Sequence, residues 1–315
     1  MKIGEVSGQT PHGVAYEMDS FVACIQKATS YWGQSASYDC VAALSGMAFA
    51  PALHKGEMCV GCWMEFSSDL RARFLGHALG FSVLSTGRPA TEGDMAFDEF
   101  CARGQAAIAR SGVLLIGPTP RWHLHTSWPG DLEQEMLPGR CSNLGCLPGC
   151  DGPVKLYLLT PYEPALTRAE ATREALKFAA ATTLGRIEST DVIFGTAMYD
   201  SLLEHLENCE DGLCPADKGD GMACLDRKVC RTHFACLSAG NFLRKATAFV
   251  PDLRGNGHLL SAASVFETMA AELSGLTNPA KSADELGKVL LEKLNRIRSL
   301  HVRAAAHLDH LCSLL

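Results

Sequence analysis

Ser20 and Cys24, two side chains that can act as nucleophiles, lie one helical turn apart in the segment MDSFVACIQKATSYWGQ, residues 18–34. The apolar spacing of this segment predicts a short helix with Ser20 near its start. Free amide groups and the helix dipole at such a start favour negative charge, so they lower a thiol pKa and stabilise an oxyanion. Ser20 is therefore a candidate catalytic residue, with a helix-capping role as the alternative. Cys24 is a candidate cofactor contact, with a small buried core residue as the alternative.

His123 and His125 alternate along the segment WHLHTSW, residues 122–128, directly after Trp122. On a strand they would point to the same face. That face could supply a general base, a pair of metal ligands or, with Trp122, one wall of a cofactor site; a solvated polar face is the alternative. Because a serine hydroxyl needs a base within hydrogen-bond reach, His125 or His123 is the predicted catalytic partner of Ser20.

Fourteen cysteines are present, and most of them are grouped. Cys59 and Cys62 form a C-x-x-C pair, whose spacing lets two thiolates reach one metal ion. Other groups lie in the Gly- and Pro-rich segment 139–153 and in a predicted loop at about 208–228. The candidate metal ligands are Cys59, Cys62, Cys141, Cys146, Cys150, Cys209, Cys214 and Cys224.

Soft thiolate ligands suit Zn²⁺ or an iron–sulfur cluster, and binding such a group would order a loop that has little apolar content. No spacing in this chain follows a standard ferredoxin or zinc-finger pattern. Redox-active thiols, disulfides and scattered buried cysteines are therefore the alternatives. On the last predicted helix His307 and His310 share a face, where a solvated helix end is favoured over a metal site.

The bulk composition excludes several classes of protein. At 315 residues the chain suits two domains, and its 47% apolar and 20% charged residues are ordinary for a globular protein. A net charge of −7 without a dense Lys/Arg run makes nucleic acid an unexpected partner. No apolar stretch is long enough for a membrane span. The N-terminal MKIGEVSGQT lacks the apolar core of a signal peptide, so the cytoplasm is the expected compartment, where disulfides are disfavoured.

The chain divides into a mixed half and a helical half. In the first half, helical patterns fall at 18–32 and 67–79. Short apolar strand patterns fall at 81–85, 113–117 and 154–159. From Thr167 onward the pattern predicts helices at 167–185, 195–207, 229–250, 257–274 and from 282 onward. We therefore predict an α+β domain over 1–163 and a helical bundle domain over 164–315.

The motifs of the first half resemble a known family. Ser20, Cys24, Tyr31 and Gly33, followed by SYDCVAALSGMAFA (37–50), resemble the N-terminal domain of butirosin biosynthesis protein H and its relatives. Those domains are similar in turn to papain-like bacteriocin-processing peptidases. In both groups a cysteine stands thirteen residues before the glycine that closes the first helix, and here that position holds Ser20.

Two further segments carry the resemblance. Residues 111–128 lie where the family has a strand leading to its histidine, and residues 155–180 resemble its junction into a helical half. The resemblance implies a papain-like (cysteine-hydrolase-like) N-terminal domain followed by a helical C-terminal domain. In active members it implies thiol-dependent acyl transfer or amide chemistry.

Two functions follow as expectations. The first is a hydrolase- or acyltransferase-related protein that acts on or binds a small acyl, amide or thioester compound; Ser20 at the nucleophile position makes it different from a standard cysteine peptidase. The alternative is a cysteine-rich metal- or cofactor-binding protein on a degenerate hydrolase scaffold. A small-molecule ligand is the expected partner, with the C-terminal helices as a candidate surface for a protein, and neither nucleic acid nor a membrane is expected.

Overall fold

A computed structural model describes residues 8–9, 15–16, 20–34, 36–49, 52–54, 68–88, 90, 93–117, 122–130, 132, 154–187, 192–208, 221–253, 256–274 and 283–315. Over these residues the chain forms nine α-helices and one four-stranded antiparallel sheet, which confirms the predicted α+β class. By their contacts the residues group into two units. The first unit comprises Met1–Val41 and Ser67–Thr167, and the second comprises Ala42–Phe66 and Arg168–Leu315. The sequence-based division predicts two continuous domains that meet at 163/164. In the structure the second unit also includes the earlier segment Ala42–Phe66.

The first unit is built around the four-stranded sheet. The four strands of the sheet are β4 (Phe81–Arg88), β5 (Val113–Gly117), β6 (His123–His125) and β7 (Val154–Pro161). The unit also contains β1 (Gly8–Gln9) and β2 (Ala15–Tyr16), which lie outside this sheet. Its helices are α1 (Ser20–Tyr31), α3 (Ser68–Leu79) and α4 (Phe97–Ile108), and α2 (Tyr38–Leu44) crosses the division between the units. The helix predictions at 18–32 and 67–79 and all three strand predictions are confirmed.

The sheet has the strand order β4-β7-β5-β6, with every neighbouring pair antiparallel. All five residues of β5 are buried, as expected for a short, continuously apolar run in the interior of a sheet. Among the described strands, β6 pairs only with β5 and lies at the edge of the sheet, where Leu115 is opposite Leu124. The edge position leaves one side of β6 for another element.

Helix α1 supplies the buried layer next to β6. Phe21, Val22, Ala23, Cys24 and Ile25 are all buried, so the first part of this helix has no exposed face. The helix ends where Gly33 takes a φ of +77°. There the Gly33 N–H donates to the Ser30 carbonyl and the Gln34 N–H to the Thr29 carbonyl, the pattern of a Schellman cap. The sequence-based assignment of Gly33 as the residue that closes this helix is confirmed.

Over its described residues the second unit is helical apart from one short strand pair. Its helices are α5 (Arg168–Thr183), α6 (Thr196–Asn208), α7 (Gly221–Phe249), α8 (Gly257–Ser274) and α9 (Ala283–Cys312), and a 3-10 turn spans Pro251–Leu253. Strands β3 (Ala52–His54) and β8 (Val192–Phe194) pair antiparallel. The Phe49 ring lies edge-on to the rings of Phe242 and Phe266, at centroid distances of 6.2 and 5.5 Å. These aromatic contacts join α7 and α8 in the core.

The predicted helices of the second unit are confirmed, with one correction. The predicted cysteine-rich loop at about 208–228 is too long, because α7 begins at Gly221 and residues 221–228 are helical. Between Met222 and Lys228 there is no proline or glycine to stop a helix, so the helix that carries the buried core residues extends toward its N-terminus. Cys224 therefore lies on a helix, and Cys230 and Cys236 lie further along the same helix.

The long last helix α9 buries one side, as its apolar spacing predicts. Leu294, Ile297 and Leu300 along that side are all buried. None of the helices that the structure describes is long and apolar enough to cross a lipid bilayer.

Candidate functional site

Ser20 is the first residue of α1, and its side chain reaches the start of strand β6. Its Oγ accepts a hydrogen bond from the Trp122 backbone N–H at 3.0 Å, across 102 positions of the chain. Ser20 is half-buried. The predicted position of Ser20 at a helix start is confirmed, and the fold brings it directly beside the strand that carries the two histidines.

Cys24 contacts the backbone of the same residue, Trp122, from one turn further along α1. Its Sγ donates to the Trp122 carbonyl at 3.4 Å, and only 3% of the residue is exposed. Ser20 and Cys24 therefore hold both polar groups of the Trp122 backbone, one accepting from its N–H and the other donating to its C=O. This placement gives both side chains a structural partner at an edge strand, which would otherwise leave backbone groups unpaired.

Trp122 itself is buried, with 5% of its surface exposed, and it lies in an aromatic cluster. Its ring stacks on Tyr157 of β7 at a centroid distance of 5.1 Å and meets Phe21 edge-on at 5.2 Å. Aromatic pairs in these geometries contribute about 0.5–1.5 kcal/mol beyond the area that they bury. The cluster fixes the start of β6 against both α1 and the central strand β7.

The two predicted histidines lie on β6 immediately after Trp122. His123 is exposed, Leu124 is buried and His125 is half-buried, so the alternation predicted for a strand is confirmed. His123 pairs with Ile116 and His125 with Leu114 across the ladder to β5. The apolar residue between them faces the core, and the imidazoles are carried on the other side.

Among the described residues, Ser20 Oγ makes one hydrogen bond, which it accepts from the Trp122 N–H. An oxygen that accepts this bond keeps its own proton and a second lone pair, so it can still donate to a base or a ligand. The junction thus joins a hydroxyl and a helix N-terminus to the start of a strand whose two imidazoles lie on the face opposite Leu124. Such an arrangement can bind a carbonyl or carboxylate group, and it can perform acyl chemistry when an imidazole reaches the hydroxyl.

Most of the predicted thiolate ligands lie outside the described residues. These are Cys59, Cys62, Cys141, Cys146, Cys150, Cys209 and Cys214. Cys224 lies in the described backbone of α7, and its side chain is outside the described part. Among the side chains that the structure does describe, no group of three or more His, Cys, Asp or Glu residues is arranged to hold a metal ion. The metal or cluster at these cysteines stays a prediction.

The second unit buries three titratable side chains together. Desolvation raises the pKa of the Cys236 thiol to about 12, and it also raises the pKa of Tyr199, to which the neighbouring Cys236 adds. Burial lowers the pKa of His301 to about 4, although the bond to the Thr183 carbonyl acts in the opposite direction. Cys236 is therefore a protonated core residue and not a reactive thiolate.

Sequence reasoning missed the part that Tyr157 has in the site. It lies in VKLYLL, which reads as a buried strand, and nothing in that pattern indicates a stacking partner for Trp122. His258 was missed as well. It lies near the start of α8, and its neighbours His307 and His310 are about fifty residues away in the sequence.

The chain was also compared with known proteins. No protein-family model matches it, and a search of curated proteins finds no match either.

Proposed function

We propose that the first unit is a hydrolase-related domain with the papain-like organisation implied by the sequence resemblance. In this proposal it binds a small acyl, amide or thioester compound where α1 meets β6. Ser20 contacts or attacks the carbonyl of that compound, and His123 or His125 acts as the base. The second unit is the helical domain that follows.

The observation that carries the proposal is the hydrogen bond between Ser20 Oγ and the Trp122 N–H, at 3.0 Å. It brings the residue at the predicted nucleophile position beside the residue that precedes His123. The half-buried state of Ser20 and the exposure of His123 leave this junction open to a small molecule. The positive end of the helix dipole beside it favours a carbonyl oxygen that becomes negative.

The reaction would follow the ordinary course of acyl transfer. The Ser20 oxygen bonds to the carbonyl carbon while an imidazole nitrogen takes the hydroxyl proton. The same imidazole returns that proton to the departing amine, alcohol or thiol, and water then hydrolyses the acyl-serine. If no imidazole reaches the hydroxyl, the site binds the carbonyl compound without turning it over, because an unactivated serine is a poor nucleophile.

Replacing Ser20 tests the proposal directly. We expect the wild-type chain to form an acyl adduct on peptide 18–34 when it is treated with p-nitrophenyl esters or thioesters of small acids, detected by mass spectrometry. Ser20→Ala should lose the adduct. Ser30→Ala, at an exposed position near the other end of the same helix, should keep it. Equal adduct formation in all three proteins would contradict a role for Ser20.

Ser20→Ala also removes the acceptor of the Trp122 N–H, so a second variant should keep a polar atom in place. In Ser20→Cys the new thiol lies at the helix start, where we expect its pKa to fall below the ordinary value of about 8.5. The matched control is Ser30→Cys, close to the C-terminal end of α1, where the dipole acts in the opposite direction. The measurement is the pH dependence of iodoacetamide labelling, resolved by peptide. If the two thiols label with the same pH profile, the helix start offers no electrostatic assistance.

The cysteine-rich metal or cofactor function remains the alternative prediction. Seven of its eight proposed ligands lie outside the described residues, so no geometry favours it over the first proposal. Elemental analysis of protein purified without oxygen is its test. One equivalent of zinc, or of iron with inorganic sulfide, would support it, and a metal content far below one per chain would remove it.

A further inference from the structure

Three histidines from distant parts of the sequence meet in the second unit. His258 is the second residue of α8, and His307 and His310 lie near the C-terminal end of α9. The Nδ1 atoms of His258 and His307 are 3.2 Å apart, and the His258 and His310 rings are 3.9 Å apart between centroids. His258 and His307 are half-buried, and His310 is exposed. The cluster is thus open to an ion from solvent.

Capping and core contacts fix the two helix segments that carry these histidines. The Asn256 side-chain oxygen accepts the N–H groups of His258 and Leu259, at 3.0 and 3.1 Å, and so caps the start of α8. On α9, Leu308 and Leu311 are fully buried beside the two histidines. The distance between the two helices at this point is therefore set by the core and not by the rings.

We propose that His258, His307 and His310 together bind one divalent transition-metal ion of the nickel, copper or zinc type. Imidazole nitrogens are ligands that such ions prefer. The site belongs to the second unit, and it rests neither on the proposed acyl chemistry nor on the cysteines.

The spacing of the first two ligands supports the proposal. Two nitrogens bound at 2.0–2.1 Å to a tetrahedral ion stand roughly 3.3 Å apart, close to the separation of the two Nδ1 atoms. Among the described side chains, no three are already arranged around an ion, and the orientation of the His310 ring accounts for this. His310 lies against the His258 ring at an interplanar angle of 31°, so it must turn toward the nitrogen pair, and its exposure leaves room for that rotation.

One neighbouring charge opposes the ion. Arg303, one turn before His307 on α9, interacts electrostatically with that histidine. We therefore expect a moderate affinity. A hydrogen bond between the two Nδ1 atoms is the competing explanation of their distance, and it predicts no ion at all.

The test titrates Ni²⁺ into chelator-treated full-length protein, with native mass spectrometry for stoichiometry and calorimetry for affinity. We expect one Ni²⁺ whose affinity falls at least about tenfold in each of His258→Gln, His307→Gln and His310→Gln. His77→Gln replaces an exposed histidine on α3 and should bind as the wild type does. Unchanged binding in any of the three variants overturns the three-ligand site.

A second measurement needs no substitution and separates these histidines from the cysteines. Ni²⁺ bound by imidazoles should broaden the ring NMR signals of the three histidines without a nickel–thiolate charge-transfer absorption. Unaffected ring signals, or uptake accompanied throughout by that absorption, would place the ion on the thiols and overturn the proposal.

Discussion

Two buried polar groups, one in each unit, differ in their hydrogen bonding. In the first unit, the buried thiol of Cys24 donates to a strand carbonyl, and His123 on that strand is exposed. In the second unit, His301 is fully buried among α-helices. Its Nδ1 and the Tyr199 hydroxyl have no hydrogen-bond partner among the described residues. The Cys24 thiol in the first unit is thus paired with a backbone group next to an edge strand, whereas His301 in the second unit keeps one unpaired nitrogen in the core.

This difference has an energetic meaning. A polar side chain that pairs with a strand backbone removes a desolvation cost, so its loss should weaken a local junction. A buried imidazole without a full set of partners imposes a cost that depends on pH, because the core resists its protonation. The first unit should therefore respond mainly to changes in side-chain shape, and the second should respond to acid as well.

The largest expected effect is at Trp122. Trp122→Ala removes the stack on Tyr157 and the edge contact with Phe21, and we expect it to lower the free energy of unfolding of the first unit by about 3–5 kcal/mol. Urea unfolding followed by near-ultraviolet circular dichroism measures this change. Tyr31→Ala is the control, because Tyr31 is 48% exposed and should stay within about 0.5 kcal/mol of the wild type. A loss below about 1 kcal/mol for Trp122→Ala would mean that the aromatic cluster does not hold β6.

The next effect is the acid response of the second unit. His301 has a folded pKa of about 4, below its ordinary value of 6.5, so the unfolded chain binds the proton more readily between these pH values. Stability is then fully present above about pH 6.5 and declines as the pH falls toward 4, by an amount on the order of 3 kcal/mol. Unfolding midpoints measured across this range would show it.

A matched pair of variants isolates the source of that acid response. His301→Leu should flatten the pH dependence, because no imidazole remains to be protonated in the unfolded chain. His123→Gln, at an exposed site in the first unit, should leave the slope as it is. If His301→Leu keeps the full slope, another group controls the acid response.

The smallest effect is at Cys24. Cys24→Ala removes one weak S–H donor and leaves a small void, so we expect a cost of about 1 kcal/mol in the first unit. Cys40→Ala replaces a half-buried cysteine and should change stability less. Denaturant midpoints for the two variants provide the measurement. A cost well above 2 kcal/mol at Cys24 would indicate that the thiol does more than fill space and donate to Trp122.

Secondary structure followed from the sequence where the signal is local. The apolar runs at 81–85, 113–117 and 154–159 and the helices around Gly33 and Pro251 contain their own periodicity and stop signals. Helix α4 (Phe97–Ile108) was not predicted, although Asp98 and Glu99 in its first turn favour a helix start. Strands β1, β2, β3 and β8 were also missed, because two- or three-residue strands depend on a partner and have no period of their own.

The candidate site was predictable only in part. The residue types at 20, 24, 123 and 125 were identified because each belongs to a short segment with a clear pattern. The Trp122 backbone, to which Ser20 and Cys24 both bond, could not be identified as their partner, because backbone groups are the same at every position of the sequence. The same holds for Tyr157 and for His258, whose roles come from contacts with distant segments.

The sequence by itself determined the α+β class, the change from mixed to helical structure near Thr167, and the positions of the long helices and main strands. These features depend on interactions within a few residues of each other. Only the tertiary structure decided that Ser20 and Cys24 bond to the backbone of one residue, Trp122, which lies 102 and 98 positions away, and that three histidines meet across two helices. Such contacts depend on how buried surfaces pack, and many arrangements of the same local elements satisfy the same sequence pattern.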